Sequence, residues 1–130
     1  MTQENVEIVR RLFDVQGTSE FLELLDPHVV WLNHASAPQT KPYVGHEGLL
    51  EWYSDFRAHV GGFRFDLVEL IDAGGDQVVT VHRVTATGTT SGAQIEQTQA
   101  AVITLLNGKV VRSQGFETKA KALGAAGLKE

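Results

Sequence analysis

Residues 76–116 constrain this chain more than any other stretch, because they read as three consecutive strands joined by two tight turns. DQVVTVHRVTATG runs to Ser91-Gly92, AQIEQTQAAVITLL runs to Asn107-Gly108, and KVVRSQGF returns. Side chains alternate between the two faces of a strand, so Thr80 and His82 share a face, as do Gln97 and Gln99. A two-residue turn at Ser91-Gly92 predicts His82 opposite Ala101, Thr80 opposite Ile103, Val84 opposite Gln99 and Ala86 opposite Gln97. All of these lie on one face, which mixes aliphatic side chains with amides and an imidazole. That is the composition of a wet cavity wall, so a curved sheet with a polar-lined concave side is expected. The opposite face carries Val79, Val81, Arg83, Thr85 and Thr87, and suits partial burial against a second subunit.

The second turn admits two readings. A two-residue turn at Asn107-Gly108 places Arg112, Gln114 and Phe116 on the cavity face. A three-residue loop over Leu106, Asn107 and Gly108, with Gly108 as a left-handed bulge, shifts the register by one residue. Val111, Ser113, Gly115 and Glu117 then face inward. The hydrophobic pattern fits both.

The remaining chain reads as cover for this sheet. Val6, Val9, Leu12 and Phe13 recur at helical spacing over residues 4–15, with Thr2 or Asn5 as a cap. Gly17 breaks that helix. Thr18 or Ser19 caps a shorter one, buried through Phe21, Leu22, Leu24 and Leu25 and ended by Asp26-Pro27, since the residue before proline is pushed out of the α region. Val29 to Leu32 reads as a strand, and residues 35–44, with Pro38 and Pro42, as a loop bordering a site. A third helix runs from about Gly45 to Val60, with Leu49, Trp52, Tyr53 and Phe56 on one stripe, and stops at Gly61-Gly62. Phe63 to Leu67 alternates as a strand. Residues 118–128 form a marginal helix, anchored by Leu123 and Leu128, that must dock to persist. Helices followed by grouped strands argue for an α+β fold, one domain over residues 1–130, with a mostly antiparallel sheet and three N-terminal helices plus a short C-terminal one.

Composition excludes several classes. The net charge of −5 disfavours a nucleic-acid partner. No apolar run is long enough for a membrane span, and the polar start MTQENVEIVRRLF lacks the pattern of a signal peptide. With no cysteine there is no disulfide framework, which fits a cytoplasmic protein. His28, His34 and His46 share no i, i+4 spacing and no carboxylate cluster accompanies them, so no metal site is expected.

Taken together, ENVEIVRRLF, FLELLDPHVVWLNH, YVGHEGLLEWYSDF, GGDQVVTVHRVTATGTTSG and NGKVVRSQGFETKAKALGAAGL resemble the SnoaL-like group of the nuclear transport factor two-like superfamily. The resemblance covers essentially the whole chain. It implies a cone-shaped α+β fold whose curved sheet wraps a helix around one deep pocket, and a homodimer formed through the outer sheet face. It places Trp52 and Tyr53 in the pocket roof and His82 inward, and it favours the reading that turns Ser113, Gly115 and Glu117 inward. The ketosteroid isomerase set has no counterpart at Leu32, Ile8, Val9 or Ala101, and the Asp-Arg-Asp set of the epoxide hydrolases has none across these strands. The acid/base carboxylate of the polyketide cyclases aligns with Glu117.

The expectation is therefore a small-molecule-binding pocket capable of cofactor-independent acid/base chemistry on a partly hydrophobic substrate. His82 is the candidate base or proton donor, with Glu117 or His34 as its partner. Trp52, Tyr53, Phe56, Thr80, Gln97, Gln99 and Ser113 are the candidate ligand contacts. Each has a structural alternative: His82 as a core histidine satisfied by Gln99 or a hydroxyl, Glu117 as an exposed acid near Lys119 and Lys121, and the aromatics as packing. The alternative function is a non-catalytic ligand-binding or dimerisation module.

Overall fold

The computed structural model describes residues 2–34, 41–88 and 92–128. In chain order the elements are α1 (Thr2–Asp14), α2 (Ser19–Glu23), β1 (Leu25–Leu32), β2 (Tyr43–Val44), α3 (Gly45–His59), β3 (Val60–Asp72), β4 (Gln77–Gly88), β5 (Gln94–Leu106), β6 (Lys109–Phe116) and α4 (Lys119–Ala125). The six strands form one curved sheet in the order β2-β1-β6-β5-β4-β3. Only β1 and β6 run parallel; every other neighbouring pair is antiparallel.

The inner face of the sheet closes over α1. Val9 and Leu12 meet Leu25, Val29, Leu49, Val78, Ile103, Leu105 and Val110 in the main core, and all of these are buried. The helical stripe seen in the sequence is thus the stripe that packs. α4 docks on the outer face, where Ala122 and Leu123 bury against Val79, Ala100 and Val102. Its last turn closes through a bond from the Leu128 N–H to the Leu123 carbonyl at 2.8 Å, with Gly127 at φ 81°. At the other end α3 lies close on β2. A Cβ on Gly48 would come within 2.9 Å of the Tyr43 carbonyl carbon, so that approach requires glycine.

Several local expectations are corrected. α1 begins at Thr2, which puts Asn5 inside the helix and makes neither residue its cap. Thr18 occupies the N-cap of α2, but its hydroxyl donates back to the Val15 carbonyl at 2.7 Å and makes no capping bond. α2 ends at Glu23, before Asp26-Pro27, because Leu25 already pairs with Val110 of β6. Asp26, Pro27 and His28 belong to β1, and the expected strand from Val29 starts four residues earlier. Leu25 is accordingly a buried strand residue, while Phe21, Leu22 and Leu24 are half-buried. In the proline-bearing loop, Tyr43 and Val44 pair with Trp31 and Val30 as a short edge strand; residues 35–40 lie outside the described residues.

The first hairpin register is also corrected. His82 sits opposite Gln99, Thr80 opposite Ala101, Val84 opposite Gln97 and Ala86 opposite Ile95, each two residues from the expected partner. The loop is longer than two residues: the Gly88 N–H donates to the Ala93 carbonyl at 2.9 Å, and the Gly92 N–H to the Gly88 carbonyl at 3.0 Å. Ser91 of the expected turn lies outside the described residues.

The second hairpin combines the two readings. Asn107 and Gly108 form a two-residue turn between Leu106 and Lys109, both left-handed at φ 53° and 78°, as a type I′ hairpin demands. Val110 pairs with Leu105, but Arg112 then pairs with Thr104 and Ser113 with Ile103. Val111, inward in the three-residue reading, is instead the extra residue of a β-bulge and does not line the cavity. The bulge falls in the strand and not in the loop, and its effect is the one-residue shift that turns Ser113 and Gly115 toward the interior.

Candidate functional site

Between the concave sheet face, α1 and α3 lies a cavity of about 760 Å³, within the usual range for small-molecule sites. Its walls divide by chemistry. α1, α3 and β3 contribute Phe13, Trp52, Phe56 and Phe65, whereas β4, β5 and β6 contribute Thr80, His82, Gln97, Gln99 and Ser113. This partition follows from strand alternation: Phe65 is opposite Val84, and Leu67 opposite His82, on the same inner face.

His82 is the central polar group. It is only 9 % exposed, and burial pushes its imidazole down to about 4 from the ordinary 6.5, since an imidazolium there would lose its hydration without gaining a counter-charge. The ring is therefore neutral at pH 7. Its Nδ1 lies 3.2 Å from the Thr80 hydroxyl, and Thr80 is fully buried. Phe13 and Phe65 flank the ring with centroids at 5.6 and 6.1 Å. Gln16 locks these two aromatics by donating to the Phe13 carbonyl at 2.8 Å and the Phe65 carbonyl at 3.0 Å. With Nδ1 engaged and one proton on the ring, Nε2 is the nitrogen left to meet a ligand.

A second polar group lies toward the end of β1. The Gln99 amide nitrogen is 3.0 Å from Gln97 Oε1, to which it donates, and 3.2 Å from His34 Nε2. His34 Nδ1 is buried with no hydrogen-bond partner among the described residues. The neighbouring Asn33 accepts from the Trp52 indole N–H at 3.0 Å, which fixes α3 against the end of β1. Trp52 in turn contacts Trp31, Phe56 and Phe65 at centroid separations of 5.9, 5.7 and 6.0 Å. Ser113, 4 % exposed, completes the polar wall.

All ten residues singled out from the sequence line this cavity: His34, Trp52, Tyr53, Phe56, Thr80, His82, Gln97, Gln99, Ser113 and Glu117. They are not all in contact. Glu117 follows Phe116, which pairs with Ala100, and so comes level with Gln99, two strands or about 10 Å from His82. Its side chain is 39 % exposed and its carboxylate lies 3.9 Å from Lys121 Nζ, placing it at the mouth. Tyr53 is likewise at the rim. Phe13, Gln16, Asn33 and Phe65 were not singled out. For Phe65 the alternation Phe63-Arg64-Phe65-Asp66 is a usable signal; for Gln16 there is none, because its long-range acceptor is a backbone carbonyl 49 residues away. Among the described residues no group of three potential metal ligands comes together, and no helix is long and apolar enough to cross a membrane.

A SnoaL-like domain model matches residues 7–113, and the chain belongs to that family. Solved structures agree in fold. An NTF2-like protein from Burkholderia thailandensis superposes with a TM-score of 0.79 at 22 % identity, covering 94 % of this chain and 95 % of that one. Bal32a, from a soil-derived mobile gene cassette, gives 0.78 at 21 % identity, with 93 % and 94 % covered. A putative SnoaL-like polyketide cyclase from Jannaschia sp. CCS1 gives 0.73 at 21 % identity, with 95 % and 91 % covered. No curated protein matches the chain. At these identities the likeness shows the fold alone.

Proposed function

We propose that this SnoaL-like chain binds a small, partly hydrophobic organic molecule in its cavity and acts on it by cofactor-independent acid/base chemistry. The observation that carries the reading is His82: a buried, neutral imidazole on the wall of a large aromatic cavity, with one ring nitrogen held by Thr80 and the other open to the ligand. A ring nitrogen so placed polarises a carbonyl by donating from Nε2–H, or accepts a proton there when Nδ1–H donates to Thr80. The depressed basicity favours the donor role, because protonating His82 in this setting is costly. Glu117 and His34, at the mouth and at the end of β1, are the groups that would then exchange a proton with substrate or solvent. Trp52, Tyr53, Phe56, Gln97, Gln99 and Ser113 would seat the molecule. A homodimer through the part of the outer sheet face that α4 leaves uncovered belongs to the same proposal, and light scattering on the purified protein tests it.

The same low basicity favours a second reading, a ligand-binding protein without turnover. A panel of ketones, polyketide-like phenols and epoxides, followed by calorimetry and product analysis, separates the two. Turnover lost in both His82→Asn and Glu117→Gln supports the enzyme. Tight binding with no product, unchanged in both variants, leaves only the binding protein. No binding by any member of the panel refutes both.

A further inference from the structure

The charge of the cavity wall limits what it can hold. Among the described lining residues the single carboxylate is Glu117, at the mouth, and no lysine or arginine lines the cavity. Lys121 lies beside Glu117 outside the lining. Deeper in, Thr80, Ser113 and the neutral His82 offer dipoles only, and the half-buried Gln99 and exposed Gln97 add amides toward the opening. A carboxylate or phosphate entering this space would lose much of its hydration and meet no lysine or arginine there. A carbonyl group loses far less and can be met by a single N–H or O–H. The net charge of −5 further disfavours anions.

We propose that the ligand is uncharged: a flat ring-containing carbonyl compound whose apolar face lies on Phe13, Trp52, Phe56 and Phe65 and whose carbonyl edge meets His82. The site rejects a carboxylate or phosphate of the same shape. This rests on the cavity being a ligand site, as proposed above.

Both tryptophans of the chain, Trp31 and Trp52, line the cavity, so intrinsic fluorescence reports its occupancy directly, with calorimetry as a check. The probes are acetylnaphthalene, naphthoate and naphthylmethylammonium, alike in shape and different in charge, at neutral pH. Acetylnaphthalene is expected to bind, and naphthoate to bind at least about 100-fold more weakly. In Gln97→Arg, which adds a cation at an exposed position of the wall, that gap should narrow by about tenfold. Naphthoate or the ammonium binding as tightly as the ketone overturns the charge rule while leaving the ligand site intact. A gap unchanged in Gln97→Arg shows that shape excludes the carboxylate, and also overturns it. Binding of none of the three refutes the ligand site itself.

Discussion

Burying His82 without a counter-charge should make this fold acid-sensitive in a way that one substitution removes. The imidazole titrates at about 4 in the folded chain against an ordinary 6.5, and each pH unit of difference is worth about 1.4 kcal/mol. The unfolded chain therefore takes up a proton as pH falls through 6.5, while the folded chain does not until about 4. Between those values the unfolded state binds more protons, so stability falls with falling pH. The loss should reach about 3 kcal/mol near pH 4, a large fraction of the 5–15 kcal/mol typical of a domain. Other groups contribute to the pH dependence of stability as well, so the readout is the difference between two proteins. Urea unfolding of the wild type and of His82→Gln at matched pH values should give curves that converge by about 3 kcal/mol between pH 7 and pH 4. The groups packed on the ring are Phe13, Phe65 and Thr80, none of which titrates in this range, which makes the assignment to His82 direct. Parallel stability curves, or an imidazole NMR titration centred near 6.5, would refute the argument that the cavity desolvates this ring.

Gly115→Ala should destabilise by about 1–3 kcal/mol and weaken ligand binding, because its Cβ would lie 3.1 Å from the His34 backbone nitrogen and 3.4 Å from the Leu32 carbonyl oxygen; chemical denaturation with wild-type stability would count against the close approach of β6 to β1. Leu123→Ala, which removes the buried anchor of α4, should cost about 2–5 kcal/mol by the same measurement. Trp52→Phe deletes the bond to Asn33 and trims the ring contacts with Trp31, Phe56 and Phe65, for about 1–3 kcal/mol and a measurable loss of ligand affinity. The chain has no cysteine, so Ser113→Cys and Arg112→Cys can be labelled cleanly: the first thiol should be protected in the folded state and the second reactive, and the reverse order would remove the bulge at Val111.

Element identity was legible wherever one periodicity dominated. The α1 stripe, the aromatic stripe of α3 and the alternation of β3 each predict the face that is buried, whereas β4 is buried on both faces from Val78 to His82, its outer face under α4. Boundaries were less legible, because they depend on partners far along the chain. Asp26-Pro27 looks like a helix stop in isolation, yet β1 has already begun at Leu25, since β6 is there to pair with it. Proline is tolerated in that position between Leu25 and Val30, where the β1–β6 ladder shifts register. The clamp of Gln16 on Phe13 and Phe65 belongs to the same class, a contact across 49 residues to a carbonyl that every residue type carries.

The two hairpins separate what parity protects from what it does not. At the first, the expected register was wrong by two residues, and every side chain nonetheless stayed on its face, because the strand repeat is also two. His82, Gln97 and Gln99 line the cavity whether the loop holds two residues or four. At the second, a difference of one residue decides the chemistry of the wall. Without the bulge Arg112, Gln114 and Phe116 would point inward, placing a guanidinium in a cavity that, among the described residues, no lysine or arginine lines. With it, Val111 takes up the extra residue, Arg112 turns out toward Thr104, and Ser113 faces Ile103. The turn itself obeys its local Asn-Gly chemistry, so the shift had to be absorbed downstream, where the sequence carries two adjacent valines and no glycine to mark the place. That no lysine or arginine lines the cavity among the described residues thus depends on Val111, a residue that does not line it.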